Sequence, residues 1–326
     1  MTLHISEAEV RQVLDMPRAL RAVEEISRKQ ATGEVVVHPR RRFELSHGGF
    51  FHYMAAADYS AGFVAMKQYT YVRGKLQFLV PLYEMSTGEL LAVIEADYMG
   101  QLRTGAASGV ATKYLARENS CIAAIIGTGG QARTQLEAVA AVRKLESARV
   151  YGRDPAKREK FCTEMSARLG IPVVSSGSSG EAVRGADVVC TATTASLPVV
   201  FGADLTPAVH INAIGANHAH KRELDDEAIE SADVIVVDSV EQSRQEAGDL
   251  ILAFHDDEIC WTGVRKLSDV VADKVSGRSS NAEITLFKSN GIASWDLAVA
   301  MKVYAAAREK KLGRELPFWT GGAGSQ

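Results

Sequence analysis

Two residue patterns in this chain could do chemistry. The first is Gly127-Thr128-Gly129-Gly130-Gln131-Ala132, a G-x-G-x-x-A stretch that follows the apolar run 121–126 and opens an apolar helical segment. The first glycine permits a tight turn, the second lets the backbone approach a pyrophosphate, and Ala132 lets helix and strand pack closely. The helix N-terminus then offers unpaired N–H groups and a partial positive charge to phosphates. With a strand before it, a helix after it and a second strand at 148–151, the pattern reads as a dinucleotide site.

The second pattern is cationic. Arg40-Arg41-Arg42 follows Pro39, Lys67 sits inside the apolar run 63–71, and Arg103 lies in Leu102-Arg103-Thr104-Gly105. Taken singly, an arginine run is a solvated face and a strand lysine points outward. Lys67 resists that reading. Strand alternation puts Phe63, Ala65, Lys67, Tyr69 and Tyr71 on one face, so the ammonium lies among aromatics. A buried cation needs a counter-charge, and where the protein lacks one a substrate carboxylate can supply it.

The elements that position these residues can be read from periodicity. Residues 6–31 have helical spacing with Ser6 as N-cap. Short β-rich runs follow at 35–37, 50–55, 63–71, 78–85 and 90–95, separated by glycine turns, and 97–116 is helical again. From Cys121 the rhythm becomes strand, turn, helix. Strands are expected at 121–126, 148–151, 172–174, 187–190, 210–213 and 233–237, with helices at 131–144, 155–169, 179–185 and 223–231. That alternation specifies an α/β fold, a Rossmann-type doubly wound parallel sheet over 119–291. Residues 1–118 with 292–326 form a smaller α+β substrate-binding and dimerisation domain. A helix at 295–310 is expected to pack back on it, and the tail 320–326 to be disordered.

Composition narrows the partners. The chain has 326 residues, and 37 basic against 40 acidic side chains leave a formal charge of -3. No basic field exists to hold a phosphate backbone, so no nucleic acid is expected. Runs such as Val234–Val237 are too short to cross a bilayer, so no membrane is expected either. Cys121, Cys162, Cys190 and Cys260 are widely spaced without a C-x-x-C pair. Disulfides and a structural zinc are disfavoured and a cytoplasmic location is expected.

The cofactor's ribose is read at the end of the second strand. Where a carboxylate would select NAD, the chain has Gly152, then Arg153 and Asp154. Glycine leaves room and Arg153 offers a bidentate partner for a 2′-phosphate, so NAD(P)H is expected with a lean toward NADPH. Asp154 reaching a ribose hydroxyl and Arg153 as a solvated charge stay open as alternatives.

Taken together, the sequence resembles the ornithine cyclodeaminase/μ-crystallin family over roughly residues 5–310. The carriers are Pro39-Arg40-Arg41, Met66-Lys67, Leu102-Arg103-Thr104-Gly105-Ala106-Ala107, Ile126–Arg133, Ala213-Ile214-Gly215-Ala216-Asn217 and Phe287-Lys288-Ser289-Asn290-Gly291. The resemblance implies a homodimer acting on amino and imino acids with NAD(P). It matches Arg41, Lys67 and Arg103 to a substrate-carboxylate clamp, and Thr104 to a cofactor contact. Gly127, Gly129, Gly130, Gln131 and Ala132 form the pyrophosphate loop, with Gln131 over the pyrophosphate. Thr191 and Thr193 match the loop beside the nicotinamide ribose, and Lys221 a further cofactor contact.

One departure matters. Ornithine cyclodeaminases carry an aspartate after the Gly-Ala dipeptide, whereas Asn217 follows Gly215-Ala216 here. Asparagine keeps the hydrogen bonds but neither accepts a proton nor balances an ammonium. The expected reaction is therefore reduction of a small 2-imino acid or cyclic imine carboxylate, or amino-acid dehydrogenation in reverse. Lys67, Arg103 and Asn217 are the expected catalytic residues. An NAD-recycling cyclodeaminase and an NADPH-dependent binding protein remain the alternatives. No metal site is expected: His218 and His220 form a His-x-His with no supporting acid or cysteine cluster. His47, His52 and His255 read as isolated polar residues. Tyr53, Tyr69, Tyr71 and Phe78 read as core or dimer surface, with Tyr69 or Tyr71 a possible pocket wall. Asp225–Glu227 and Asp256–Glu258 read as solvated charge runs.

Overall fold

The computed structural model describes residues 1–318 other than 47 and 256. The tail 320–326, His47 and Asp256 lie outside the described residues. In chain order the elements begin β1 (Thr2–Ile5), α1 (Glu7–Val13), α2 (Met16–Thr32), β2 (Val35–Glu44), β3 (Phe50–Asp58), β4 (Phe63–Val72), β5 (Lys75–Glu84), β6 (Leu90–Glu95) and α3 (Asp97–Leu115). Next come β7 (Ile122–Ile126), α4 (Gly130–Val142), β8 (Ser147–Tyr151), α5 (Pro155–Leu169), β9 (Val173–Ser175), α6 (Ser179–Val183), β10 (Val188–Thr191) and β11 (His210–Ala213). The chain continues through α7 (Asp226–Glu230), β12 (Val234–Val237), α8 (Val240–Glu246), α9 (Gly248–Phe254), α10 (Glu258–Thr262), β13 (Arg265–Lys266) and α11 (Leu267–Val271). It ends with β14 (Thr285–Lys288), α12 (Ala293–Glu309) and β15 (Arg314–Leu316).

These divide into two compact units, residues 1–103 with 292–326 and residues 104–291. In the first, seven strands form a mixed sheet in the order β15-β1-β6-β5-β4-β3-β2. β2 to β6 pair antiparallel in succession, while β1 runs parallel to β6. The single helix expected over 6–31 is two. Ser6 and Glu9 form a capping box on α1, and Asp15 caps α2 with a proline in its first turn, so Leu14 and Asp15 stay extended. Asp15 and Pro17 there are a start signal placed inside an otherwise helical pattern. Helix α12 packs against α2, where Lys302 pairs with Glu25 at 3.1 Å and Ser294 donates to Gln30 at 3.1 Å.

The second unit holds an all-parallel sheet of eight strands, ordered β13-β12-β14-β11-β10-β7-β8-β9. Its inner strands are apolar because both faces are covered. Alternate residues of β7 feed opposite cores: Ala124 and Ile126 join Val189 and Ile211 on one face, while Ala123 and Ile125 join Val150 and Cys190 on the other. Strand β14, which no periodicity singled out, lies inside the sheet between β11 and β12.

The boundary expected at residue 118 falls at 103 instead. The second half of α3 is fastened to the second unit. Arg143 donates to the carbonyls of Thr112, Lys113 and Ala116, and Asn212 donates to Thr112 Oγ1 at 3.0 Å. Gly105 sits so close to α4 that a Cβ there would lie 2.5 Å from the Thr134 carbonyl oxygen. Because that obstacle is backbone, Gly105→Ala should lower stability by about 1–3 kcal/mol. Urea unfolding checks this, and an unchanged midpoint would show that α3 and α4 can part without cost.

Candidate active site

The expected clamp residues Lys67 and Arg103 do meet, and they meet on an acid the sequence did not single out. Lys67 Nζ donates to Asp296 Oδ1 at 3.0 Å, and Arg103 Nε donates to the same oxygen at 3.1 Å. All three residues belong to the first unit and are buried, with Lys67 only 4% exposed. Lys67 comes from β4, Arg103 from α3 and Asp296 from α12. Of the two sources of counter-charge that the sequence left open for Lys67, the protein supplies one itself. One carboxylate is nonetheless shared by two cations. Arg103 Nη1 and Asp296 Oδ2 are buried and find no hydrogen-bond partner among the described residues. Such atoms are rare in folded proteins and call for an explanation, often a ligand.

The electrostatics are visible in Lys67. Its pKa is lowered from 10.5 to about 8, first by burial, then by the positive charge of Arg103 and, to a smaller extent, of Arg40; Asp296 pulls the other way. The Phe78 ring, 5.2 Å from Nζ, lies beside it. Tyr69 packs on Phe78 and His52 with ring centroids 4.8 and 4.7 Å away. The expected aromatic surroundings are thus present, although Tyr71 at the far end of the strand is exposed.

Arg41 is exposed on β2, whereas Arg40 is half-buried and is the arginine of the triplet whose charge acts on Lys67. Strand pairing slips between His38 and Arg41, so parity along the triplet could not be counted from sequence. Asp296 did carry a signal: it is the sole acid among the apolar residues 292–300. A concavity of about 530 Å³ in this unit is lined by Phe51, Tyr69 and Phe78 together with Glu7, Glu95 and Asp97. Its three acids would repel a carboxylate, so the Lys67 cluster is the better anion site.

In the second unit the glycine loop has the geometry its spacing predicts. Gly127 has φ 120°, and a Cβ there would lie 2.4 Å from the Ala192 carbonyl oxygen, which brings the loops after β7 and β10 into contact. Gly129 caps α4 without a side-chain hydrogen bond, and Gly129 and Gly130 are exposed. Ala132 is buried against the sheet. Arg133 donates to the Thr128 and Gly129 carbonyls at 3.0 and 3.2 Å. Gln131 Oε1 is buried with no hydrogen-bond partner among the described residues. An uncapped helix N-terminus behind a glycine loop fits a dinucleotide pyrophosphate. The loop also lies at the switch point of the sheet, where strand order reverses between β7 and β10, the usual ligand crevice of doubly wound folds.

At the end of β8, Gly152 is buried and Arg153 is exposed. The Asp154 side chain accepts from Lys157 N as the N-cap of α5. Thr191 is buried and donates to Glu223 Oε2, and Thr193 donates to Glu223 Oε1 through both its hydroxyl and its amide. Thr104 and Lys221 are half-buried. Asn217 Oδ1 meets His218 Nδ1 at 2.9 Å, and the His218 and His220 rings lie 5.7 Å apart. Among the described residues no group of three or more His, Cys, Asp or Glu is arranged to hold a metal ion, and no helix is long and apolar enough to cross a membrane.

Comparison with known proteins settles the ancestry. Residues 2–311 match the model of the ornithine cyclodeaminase/mu-crystallin family. The chain belongs to that family. Among its members, the chain is 39% identical over 241 residues to a Delta(1)-pyrroline-2-carboxylate reductase of Bacillus cereus, covering 74% of each chain. Among solved structures it resembles the Thermococcus litoralis Delta(1)-pyrroline-2-carboxylate reductase in complex with NADH and L-proline, with TM-score 0.93, 37% identity, and 97% and 100% of the two chains covered. It also resembles an archaeal alanine dehydrogenase dimer with bound NAD, with TM-score 0.91, 36% identity, and 97% and 99% covered.

Family membership does not fix the proton affinity of Lys67, which the geometry does. A lysine in the unfolded chain titrates near 10.5, above the value of about 8 in the folded protein. Between those limits the unfolded chain holds a proton the folded chain has released, so stability contributed by this group rises with pH across that window. Wild type should therefore gain stability relative to Lys67→Met from about pH 8 to about pH 10.5. Parallel urea midpoints for the two proteins would show that Lys67 keeps an ordinary lysine pKa.

Proposed function

We propose that this protein is an NAD(P)H-dependent reductase of a small 2-imino acid or cyclic imine carboxylate, able to run in reverse as an amino-acid dehydrogenase. The observation that carries this reading is the buried Lys67–Asp296–Arg103 cluster, with two cations on one carboxylate oxygen. The excess positive charge and the unpartnered Arg103 Nη1 suit a substrate carboxylate, which offers acceptors to both cations. Fixing that carboxylate orients the adjacent carbon–nitrogen bond, which is catalysis by placement. The relatives' names and their bound NADH, proline and NAD support the same chemistry.

Gly127, Gly129, Gly130, Gln131 and Ala132 would hold the pyrophosphate, with Thr104, Thr191, Thr193 and Lys221 as further contacts. When bound, the reduced nicotinamide supplies the hydride that converts the imine carbon to an amine carbon. An imine that enters protonated needs no acid from the protein. If a 2-keto acid and ammonia are used, Lys67, with its pKa near 8, gives or takes the proton that water loss requires. Arg41 belongs to this proposal only as a surface arginine near Arg40, which takes over its place in the clamp. Asn217, engaged with His218, offers hydrogen bonds to the substrate nitrogen but no proton. That favours reduction over cyclodeamination.

The lean toward NADPH rests on Gly152, on Arg153, and on Asp154 being spent as a helix cap. The four free cysteines support a reducing cytoplasm. A homodimer is supported by the aromatic cluster Phe43, Phe51 and Tyr53, whose ring centroids lie 5.9–6.4 Å apart. Phe43 is 57% exposed.

Lys67→Met and Arg103→Leu should each lower kcat/KM for imine reduction by about 100-fold or more. Steady-state NAD(P)H oxidation with cyclic imino acids and with 2-keto acids plus ammonia measures this. Unaltered efficiency in both variants, or ammonia release from ornithine without net cofactor oxidation, would overturn the reductase reading. Arg153→Ala should cut the ratio of NADPH to NADH efficiency by about tenfold. An unchanged ratio would make Arg153 a solvated charge.

A further inference from the structure

A buried carboxylate in the second unit accepts four hydrogen bonds, and its partners come from both loops that leave the centre of the sheet. Glu223 is fully buried. Its Oε1 accepts from Thr193 N and Thr193 Oγ1, each at 2.7 Å, and its Oε2 accepts from Thr191 Oγ1 and Gly215 N, each at 2.7 Å. Thr191 ends β10, Thr193 lies in the loop after it, and Gly215 lies in the loop after β11. The carboxylate thus clips one loop to the other. Its bond to Gly215 also closes the segment 215–223, which carries Asn217 and Lys221.

The clip is itself held. Asp249 Oδ1 accepts from Glu223 N at 2.6 Å and Leu224 N at 3.0 Å, and Asp249 Oδ2 pairs with Lys288 Nζ at 2.8 Å. Lys288 in turn donates to the Ala216 carbonyl. Burial, and next the charge of Asp249, raise the Glu223 pKa, while Lys288 and the two threonines oppose that. A buried ionised carboxylate is tolerated only where bonds to its charged form offset desolvation. For holding a sheet end together, neutral side chains would do as well. What a carboxylate adds is four donors drawn to one rigid group, which fixes loop positions closely.

Those loops matter because of where they leave the sheet. The loop after β10 touches the glycine loop at Gly127 and Ala192, at the switch point of the doubly wound sheet. A dinucleotide on the glycine loop extends over the carboxyl ends of the neighbouring strands. We infer that Glu223 is a positioning residue for the dinucleotide: it touches no ligand itself, but sets the loops after β10 and β11 in the conformation that receives the nicotinamide half. This rests on the reading of the second unit as the NAD(P)H site.

The test begins with wild type, whose binding of NADH and NADPH by nucleotide fluorescence checks that reading alone. Glu223→Gln keeps the size but turns an NH2 group toward donors, and Glu223→Asp keeps the charge but cannot span both loops. Each should raise the Kd for the preferred cofactor about tenfold or more. Amide hydrogen exchange at Thr193 and Gly215 should quicken in parallel. Ile229→Ala, a core truncation in α7, controls for lost stability and should leave cofactor affinity unchanged. Should neither Glu223 variant fold, exchange in wild type decides: added NADH should slow the Thr193 and Gly215 amides as well as those at Gly129 to Gln131. Wild-type binding with unaltered affinity in the variants, or no NADH effect at Thr193 and Gly215, overturns the role given to Glu223.

Discussion

Two buried cations sharing one buried carboxylate is the constraint around which the first unit is arranged. Removing an ammonium or a guanidinium from water costs several kcal/mol each, and a single acid offsets only part of that. Lys67, Arg103 and Asp296 come from β4, α3 and α12, so the last long helix of the chain must return to the first sheet for the cluster to exist. Burial, and next the charge of Arg103, depress the proton affinity of Lys67. The cluster is also left with a donor, Arg103 Nη1, that has no acceptor among the described residues. A protein selected for stability alone would fill these positions with apolar side chains, which often cost nothing or gain stability.

The second unit holds a buried charge imbalance of the opposite sign. Glu223 and Asp249 face one cation, Lys288. Here every oxygen of Glu223 is used, by four donors at 2.7 Å. The comparison separates the two kinds of buried charge. Where the protein supplies all partners, as at Glu223, the group organises the chain around it. Where a donor finds no acceptor among the described residues, as at Arg103 Nη1, it is the donor that the proposed substrate carboxylate would take.

What could be read from sequence follows from how local each signal is. The glycine fingerprint, the alternating strands and helices of the second unit, and Lys67 as a misplaced strand cation all depend on short-range spacing. Each of these is found in the structure. Asp296 lies far along the chain from Lys67, and no periodicity links them; only an acid inside an apolar helix hinted at it. The resemblance points to Arg41 for the clamp, and a slip in strand pairing keeps parity from telling it apart from Arg40. Glu223 stood at the start of the helix expected over 223–231, next to the charge run Asp225–Glu227. Its burial is decided by the loop from Gly215, which local composition does not encode. Strand β14 escaped for a related reason: four residues flanked by polar segments carry too little period to count.

The proton inventory gives these residues a division of labour. Asn217 cannot exchange a proton. Glu223 has a raised pKa, but a proton on it would displace one of four donors and loosen the loops it clips. His218 is engaged with Asn217. Lys67 is the group among the clamp residues whose proton affinity, near 8, lies within reach of neutral pH, and Arg103 beside it cannot deprotonate. In the proposed reaction proton transfer would fall to Lys67 wherever the substrate does not bring its own proton, and Asp296 would restrain that transfer by favouring the ammonium. An acid placed to stabilise the cation, and an arginine placed to destabilise it, hold the lysine between the two states that such chemistry requires.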